Sequence, residues 1–385
     1  MTREDDLAER LADMVGNAAL HEPEFRGKEA IYLADCLESG WVSSAGPNVG
    51  IFEEAVAAFT GAAGVVAVVN GTAALALAYR VAGVRRDDEV LMPALTFVAT
   101  ANAASMLGAV PHFVDCDSLH PGLSSEHLRN HLTEIAETRA GELINKRTGR
   151  RIGAIVAVHV FGHPCDLSGL SAVAKDFGIP LIEDAAAALG SRHGEVHAGL
   201  GGLVGTLSFN GNKVLTTGGG GALISMDREL IAHARHLAST AKVPHPFEFE
   251  HDQIAYNFRM PNLNAALGIG QMEQLAEKIL SKRNLAARYR SFFEDYPDLR
   301  FIEERSGTFS IYWLNSIQVM PEAGMTQTRL LEALMRHGVQ ARPLWRPMHQ
   351  LEIYRQSPRA DLPNTDRLYA SVISLPSSPK LGREQ

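Results

Sequence analysis

Cysteine is scarce in this chain. Cys36, Cys116 and Cys165 are its only three, lie far apart and form no CxxC pair. That argues against a disulfide framework or a cysteine-based zinc site, and fits a reducing, cytoplasmic setting. Long uncharged apolar runs are missing too. No stretch of 18 such residues occurs, and the longest apolar runs carry glycine and read as buried strands, so no membrane span is expected. Nor is there an excess of positive charge: Lys and Arg number 36 against 44 Asp and Glu, a net charge of -8. Nucleic acid therefore finds no global basic field. An anionic ligand remains compatible, because a phosphate needs only a local nest of N–H groups. The first residues, Met1-Thr2-Arg3-Glu4-Asp5-Asp6, lack the apolar core of a secretory signal. His159, His163 and His349 have no second ligand at helical spacing, so they read as structural or surface histidines and no metal site is expected.

What the chain does have is apolar content, 46%, spread over 385 residues. That supplies a sizeable core and more than one domain. Residues 1–50 read as an N-terminal helical segment. Within it Leu7, Leu11, Met14 and Val15 recur at helical spacing, as in a loosely attached amphipathic helix. From 51 the pattern alternates between strand and helix. Residues 65–69, 89–93, 110–115, 152–160, 180–183, 203–209 and 221–225 read as strands, and 65–69 is a short, all-apolar run, as expected of a strand buried on both faces. Helical patterns lie between most of them, which predicts a mostly parallel sheet covered by helices over 51–262. The polar stretch 138–150 reads as a solvated loop. Beyond it, 263–296 is a long helical stretch, 310–320 a strand, 326–337 a helix and 339–343 a strand edge. Residues 263–385 thus form a smaller α+β domain.

Three segments carry chemistry. In Ser208-Phe209-Asn210-Gly211-Asn212-Lys213 a lysine follows a buried strand, where its charge must be paired or its pKa lowered. Schiff-base chemistry needs such an amine. Gly218 to Gly221 follow, and let the backbone pass closely under a ligand or another chain. The same segment also fits a surface lysine beside a flexible loop. In Leu181-Ile182-Glu183-Asp184 an acidic pair ends an apolar strand, where open α/β sheets place their ligands. Asp184 there suits a protonated pyridine nitrogen, or equally the cap of a following helix. In Val69-Asn70-Gly71-Thr72 a strand gives way to a helix, whose exposed N–H groups and dipole make a phosphate seat.

The order of these parts, phosphate seat, then strand with Asp, then strand with Lys, matches the order of parts for pyridoxal phosphate. Over nearly its whole length the chain resembles the DegT/DnrJ/EryC1/StrS family of sugar aminotransferases. The resemblance rests on Gly40-Trp41-Val42-Ser43-Ser44, Asn70-Gly71-Thr72-Ala73-Ala74-Leu75 and the stretch from Pro93 to Asn102. It continues in Glu183-Asp184-Ala185-Ala186, Ser208 to Lys213, Tyr256-Asn257-Phe258-Arg259-Met260 and Arg342-Pro343-Leu344-Trp345. The Phe-Asn-Gly-Asn-Lys and Thr-Thr-Gly-Gly-Gly-Gly wording is similar to the LegC-like branch, which makes 4-amino sugars for bacterial glycans.

The resemblance implies the pyridoxal-phosphate-dependent transferase fold type I and a homodimer with shared active sites. It implies that Lys213 holds the cofactor and moves the proton, and that Asp184 binds the pyridine nitrogen. Phe97 would stack on the ring, although an isolated aromatic also fits the core. Gly71, Thr72 and Ser208 would hold the phosphate, and Asn257 would reach the phosphate of the neighbouring subunit. Trp41, Ser43, Ser44, Arg342, Trp345 and His349 lie in segments used around the nucleotide sugar, though Trp345 between Pro343 and Pro347 also fits a packing role. The implied reaction moves an amino group, with L-glutamate as donor, to a nucleotide-linked 4-keto-6-deoxy sugar. A UDP-2-acetamido-2,6-dideoxy-4-hexulose type comes first, and a GDP-4-keto-6-deoxymannose (perosamine type) or dTDP-linked sugar is the alternative. A dehydratase of the same fold is disfavoured because relatives that dehydrate replace the lysine with histidine. A non-catalytic sensor is disfavoured by the complete Asp184 and Lys213 set. Two departures stand out: Ala187, where the family often has Gln, Glu or His, and an end at Gln385 where many relatives continue into a last helix.

Overall fold

A computed structural model of the chain describes residues 2–383; Met1, Glu384 and Gln385 lie outside the described residues. Seven strands form the central sheet: β1 (Gly64–Val68), β2 (Glu89–Pro93), β3 (Val110–Val114), β4 (Ile152–Val158), β5 (Leu181–Asp184), β6 (Val204–Ser208) and β7 (Gly221–Ser225). Their order is β1-β7-β6-β5-β4-β2-β3. The pairs from β6 through β3 are all parallel, and only β7 runs against both its neighbours.

Successive strand residues point to opposite faces, so each strand feeds two cores. On β4, Ala154, Val156 and Val158 enter one core while Ile155 and Ala157 enter the other. The first core is closed by Phe52 of the helix Asn48–Thr60, Leu75 and Tyr79 of Gly71–Val81, and Leu237 of Arg228–Ala238. The second is closed by Leu128 and Leu132 of Ser125–Ile135 and by Leu170 and Val173 of Leu167–Phe177. Two covered faces are why the strands read as mostly apolar runs rather than as alternations.

Four antiparallel strands make a second sheet: β8 (Leu299–Phe301), β9 (Asn315–Val319), β10 (Arg342–Pro343) and β11 (Val372–Leu375), in the order β8-β9-β11-β10. The expected helical stretch 263–296 is two helices, Asn262–Met272 and Leu275–Glu294. Gln274 leaves helical geometry between them (φ -112°, ψ 0°) and its amide donates to Glu29 Oε1 at 2.8 Å. The expected strand 310–320 begins only at Asn315. Residues 310–314 are irregular, with Tyr312 at φ 47°.

Two expectations are corrected. The N-terminal helix, Arg3–Val15, is firmly docked rather than loose. Leu7, Ala8 and Leu11 are fully buried and share a core with Leu330, Ala333 and Leu334 of the helix Gln327–Arg336. Ion pairs from Arg3 to Asp298 (2.6 Å) and Arg336 to Asp5 (2.7 Å) frame the contact. The stretch 138–150 is not simply a loop. Ala136–Arg139 pairs with Glu142–Asn145 in a hairpin that turns at Ala140 (φ 50°) and Gly141 (φ 82°). Its polarity marks an exposed hairpin face, while Asn145 is buried and donates to Glu89 Oε2 at 2.8 Å. Among the described residues, no helix is long and apolar enough to cross a membrane.

Candidate active site

A cavity of about 390 Å³ opens at the carboxyl ends of the parallel strands, within the ~300–1,000 Å³ usual for small-molecule sites. Each strand end delivers part of the wall: Asn70, Gly71 and Thr72 after β1, Thr96 and Phe97 after β2, His159 and Val160 after β4, Asp184 on β5, and Ser208 on β6. Asn210, Asn212 and Lys213 follow Ser208, and Trp313 and Trp345 close the cavity from the C-terminal region.

One end is a helix N-terminus. Asn70 caps the helix Gly71–Val81, its Oδ1 accepting from Ala73 N at 2.8 Å. The first helical bond runs from Ala74 N to Asn70 O. That leaves the N–H groups of Gly71 and Thr72 ahead of the helical ladder, beside Ser208. A Cβ on Gly71 would stand 3.0 Å from Ser208 Cβ. Beneath the turn passes Gly221 at the start of β7, where a Cβ would meet the Asn70 carbonyl carbon at 2.6 Å. The glycine run is thus needed for a close backbone crossing. Asn264 Nδ2 pins the loop before it, donating to Thr217 O (2.7 Å) and Gly219 O (3.0 Å).

The carboxylate lies deeper. Asp184 is buried, and both its oxygens are engaged: Oδ2 accepts from Thr100 Oγ1 at 2.8 Å and Oδ1 from Ala186 N at 3.1 Å. A turn and not a helix follows it, so Asp184 caps no helix. Next to it on β5, Glu183 faces away from the cavity: it accepts from Gly199 N (2.8 Å), Gly202 N (2.7 Å) and His159 Nε2 (2.8 Å). Cys165 N donates to His159 Nδ1 at 3.1 Å, which leaves the hydrogen on Nε2 for Glu183.

Lys213 completes the wall. Desolvation lowers its pKa to about 8, with Asp184 pulling the other way. A larger fraction of the amine is therefore unprotonated and nucleophilic near neutral pH than for an ordinary lysine. Its Nζ lies 3.8 Å from the centre of the Trp313 ring.

Of the residues singled out in the sequence, Gly71, Thr72, Phe97, Asp184, Ser208, Lys213 and Trp345 line this cavity. Phe97 is not a core residue: it is 54% exposed, and its ring centre is 5.9 Å from that of Trp345. Trp41, Ser43, Ser44, Asn257, Arg342 and His349 do not line the cavity of their own chain. Trp41, Ser43, Asn257 and Arg342 are exposed, and His349 Nε2 lies 3.1 Å from Asp366. Sequence reasoning passed over Thr100, which was seen only as part of a motif, and Trp313, which sat inside an expected strand. It also treated His159 as merely structural.

A lysine, a carboxylate and a helix N-terminus around one crevice of a mostly parallel sheet define the pyridoxal-phosphate-dependent transferase fold type I. The solved structure of Helicobacter pylori PseC, an aminotransferase involved in the biosynthesis of pseudoaminic acid, matches with a TM-score of 0.84 at 25% identity, covering 93% of both chains. The chain belongs to the DegT/DnrJ/EryC1/StrS aminotransferase family, whose model matches residues 23–385. Members of this family depend on pyridoxal phosphate. The chain is 35% identical over 367 residues to the GDP-perosamine synthase of Vibrio cholerae, covering 95% of each. It is 29% identical over 337 residues to the UDP-4-amino-4,6-dideoxy-N-acetyl-beta-L-altrosamine transaminase of Campylobacter jejuni, covering 87% of this chain and 86% of that one.

Proposed function

We propose that this aminotransferase binds pyridoxal phosphate through Lys213 and aminates the C4 ketone of a nucleotide-linked 4-keto-6-deoxy sugar, with L-glutamate as donor. One observation carries the reading: Lys213, Asp184 and the Gly71–Thr72 helix N-terminus face a single cavity. That fits the cofactor's three handles, an aldehyde, a ring nitrogen and a phosphate. When bound, the cofactor supplies the electron sink through which the amino group moves.

The chain's residues do the rest. Gly71 and Thr72 N–H groups with the Ser208 hydroxyl hold the phosphate, aided by the helix dipole. Asp184, held at both oxygens, keeps the ring nitrogen protonated. Phe97 covers the ring face. The Lys213 amine, largely desolvated, takes and returns the proton at the reacting carbon. Trp345 and Phe97 narrow the mouth through which the sugar enters. Trp41, Ser43 and Asn257, exposed on their own chain, and the half-buried Ser44 serve the site of a second copy in a cytoplasmic homodimer; Arg342 and His349 contact the nucleotide sugar.

The Phe-Asn-Gly-Asn-Lys wording favours a UDP-linked 2-acetamido sugar. The 35% identity to a GDP-perosamine synthase favours a GDP-linked one. Turnover of a panel of UDP-, GDP- and dTDP-linked 4-keto sugars with glutamate, read by product mass, decides between them. The function itself is tested in the same assay by Lys213→Ala, which is expected to abolish turnover; a variant working at the wild-type rate contradicts the reading.

A further inference from the structure

Trp313 has no part in the chemistry described so far, yet its side chain is held firmly beside Lys213. The amine sits over its ring face, 3.8 Å from the centroid. The indole Nε1 donates to the Asn212 carbonyl at 2.7 Å, so the ring is tied to the peptide group that precedes the lysine. From behind, the Trp313 carbonyl accepts from Lys282 Nζ at 3.0 Å, and that amine also donates to Ser377 O. Lys282 is fully buried, and burial holds its pKa well below the usual lysine range. Its amine thus donates to two backbone carbonyls behind the indole. Phe161 and His21 pack near the indole, with ring centres 6.3 and 6.4 Å away. Trp313 is 4% exposed.

We propose that Trp313 is a positioning residue for Lys213: its ring face receives the amine whenever that amine is free, fixes its direction across the cavity and favours its ammonium form. The proposal rests on the reading of Lys213 as the reactive amine. That amine must leave the cofactor in the first half of the reaction and rejoins it only at the end of the second, and during that interval only the protein holds it. A desolvated π face attracts an ammonium group and is nearly indifferent to a neutral amine. The ring thus opposes the desolvation that depresses Lys213. The other charged or titratable groups around it are Asp184 on β5, His159 after β4 and His21. His159 is committed to Glu183, and the charge on His21 is disfavoured by burial and by Lys282 and Lys213.

The test uses the full-length protein freed of cofactor. The rate at which trinitrobenzenesulfonate labels Lys213, located by peptide mass, is followed against pH; only the unprotonated amine reacts. The wild type is expected to show a midpoint near 8. Trp313→Leu keeps an apolar wall without the π face and is expected to lower the midpoint by about one pH unit. Trp313→Phe, with a weaker face, is expected to lie between. If the leucine variant does not fold, the phenylalanine variant carries the test, with a smaller shift in the same direction. Midpoints unchanged or raised overturn the proposal. Labelling reads the amine without substrate or cofactor, so it succeeds or fails independently of whether Lys213→Ala abolishes turnover.

Discussion

The Thr100 hydroxyl donates a 2.8 Å hydrogen bond to Asp184 Oδ2 across 84 residues of sequence, with both groups buried. With Ala186 N on the other oxygen, it fixes the plane of the carboxylate. Hydrogen bonds to charged groups contribute about 1.5–3 kcal/mol. Thr100→Val keeps the shape and removes the hydroxyl. It is expected to lower kcat about 10-fold or more while leaving KM for the nucleotide sugar within about twofold, which steady-state kinetics will show.

The crossing of Gly221 beneath the Asn70–Gly71 turn leaves no room for a side chain. Gly221→Ala would set a methyl against backbone at 2.6 Å, a contact that cannot be relieved by rotating a side chain. Overpacking of this kind costs about 1–3 kcal/mol. A lower Tm, together with weaker cofactor binding measured by titration, is the expected outcome, because the displaced turn carries the phosphate seat.

Much of this framework was legible in the sequence, and the reasons are local. Strands β1 to β7 are mostly apolar because both sheet faces are covered, and such runs stand out in any polar context. Gly71, Asp184 and Lys213 sit where those runs end, so strand position and chemistry point to the same residues. Thr100 and Trp313 were not legible as site residues. Each reaches the cavity from an element whose own pattern concerns something else: a helix start for Thr100, and an irregular stretch that reads as strand for Trp313. The N-terminal helix shows its apolar stripe in the sequence, but not the partner that buries it.

That partner contact gives a stability prediction. Leu11 is fully buried against the core of the second sheet and its helices. Leu11→Ala is expected to destabilise by about 2–5 kcal/mol in denaturant unfolding. A loosely attached helix would register a change near zero.

An acid-sensitive cluster lies on the far side of the sheet. His112 Nε2 and His131 Nε2 are 2.7 Å apart, and His112 Nδ1 is 2.8 Å from Glu89 Oε2. Desolvation, then the neighbouring His112, lower the His131 pKa from 6.5 to about 4. Between those values the unfolded chain binds the proton and the folded one does not, so stability falls as pH drops through that window. His131→Gln removes this titration, and its Tm is expected to fall less than that of the wild type between pH 6.5 and 4. Differential scanning calorimetry at both pH values checks it.

The most direct test of the central claim is to reduce the cofactor-loaded protein with borohydride, digest it and locate the phosphopyridoxyl group by mass spectrometry. The account predicts a single modified lysine, Lys213. An adduct on any other lysine, or none at all, contradicts it.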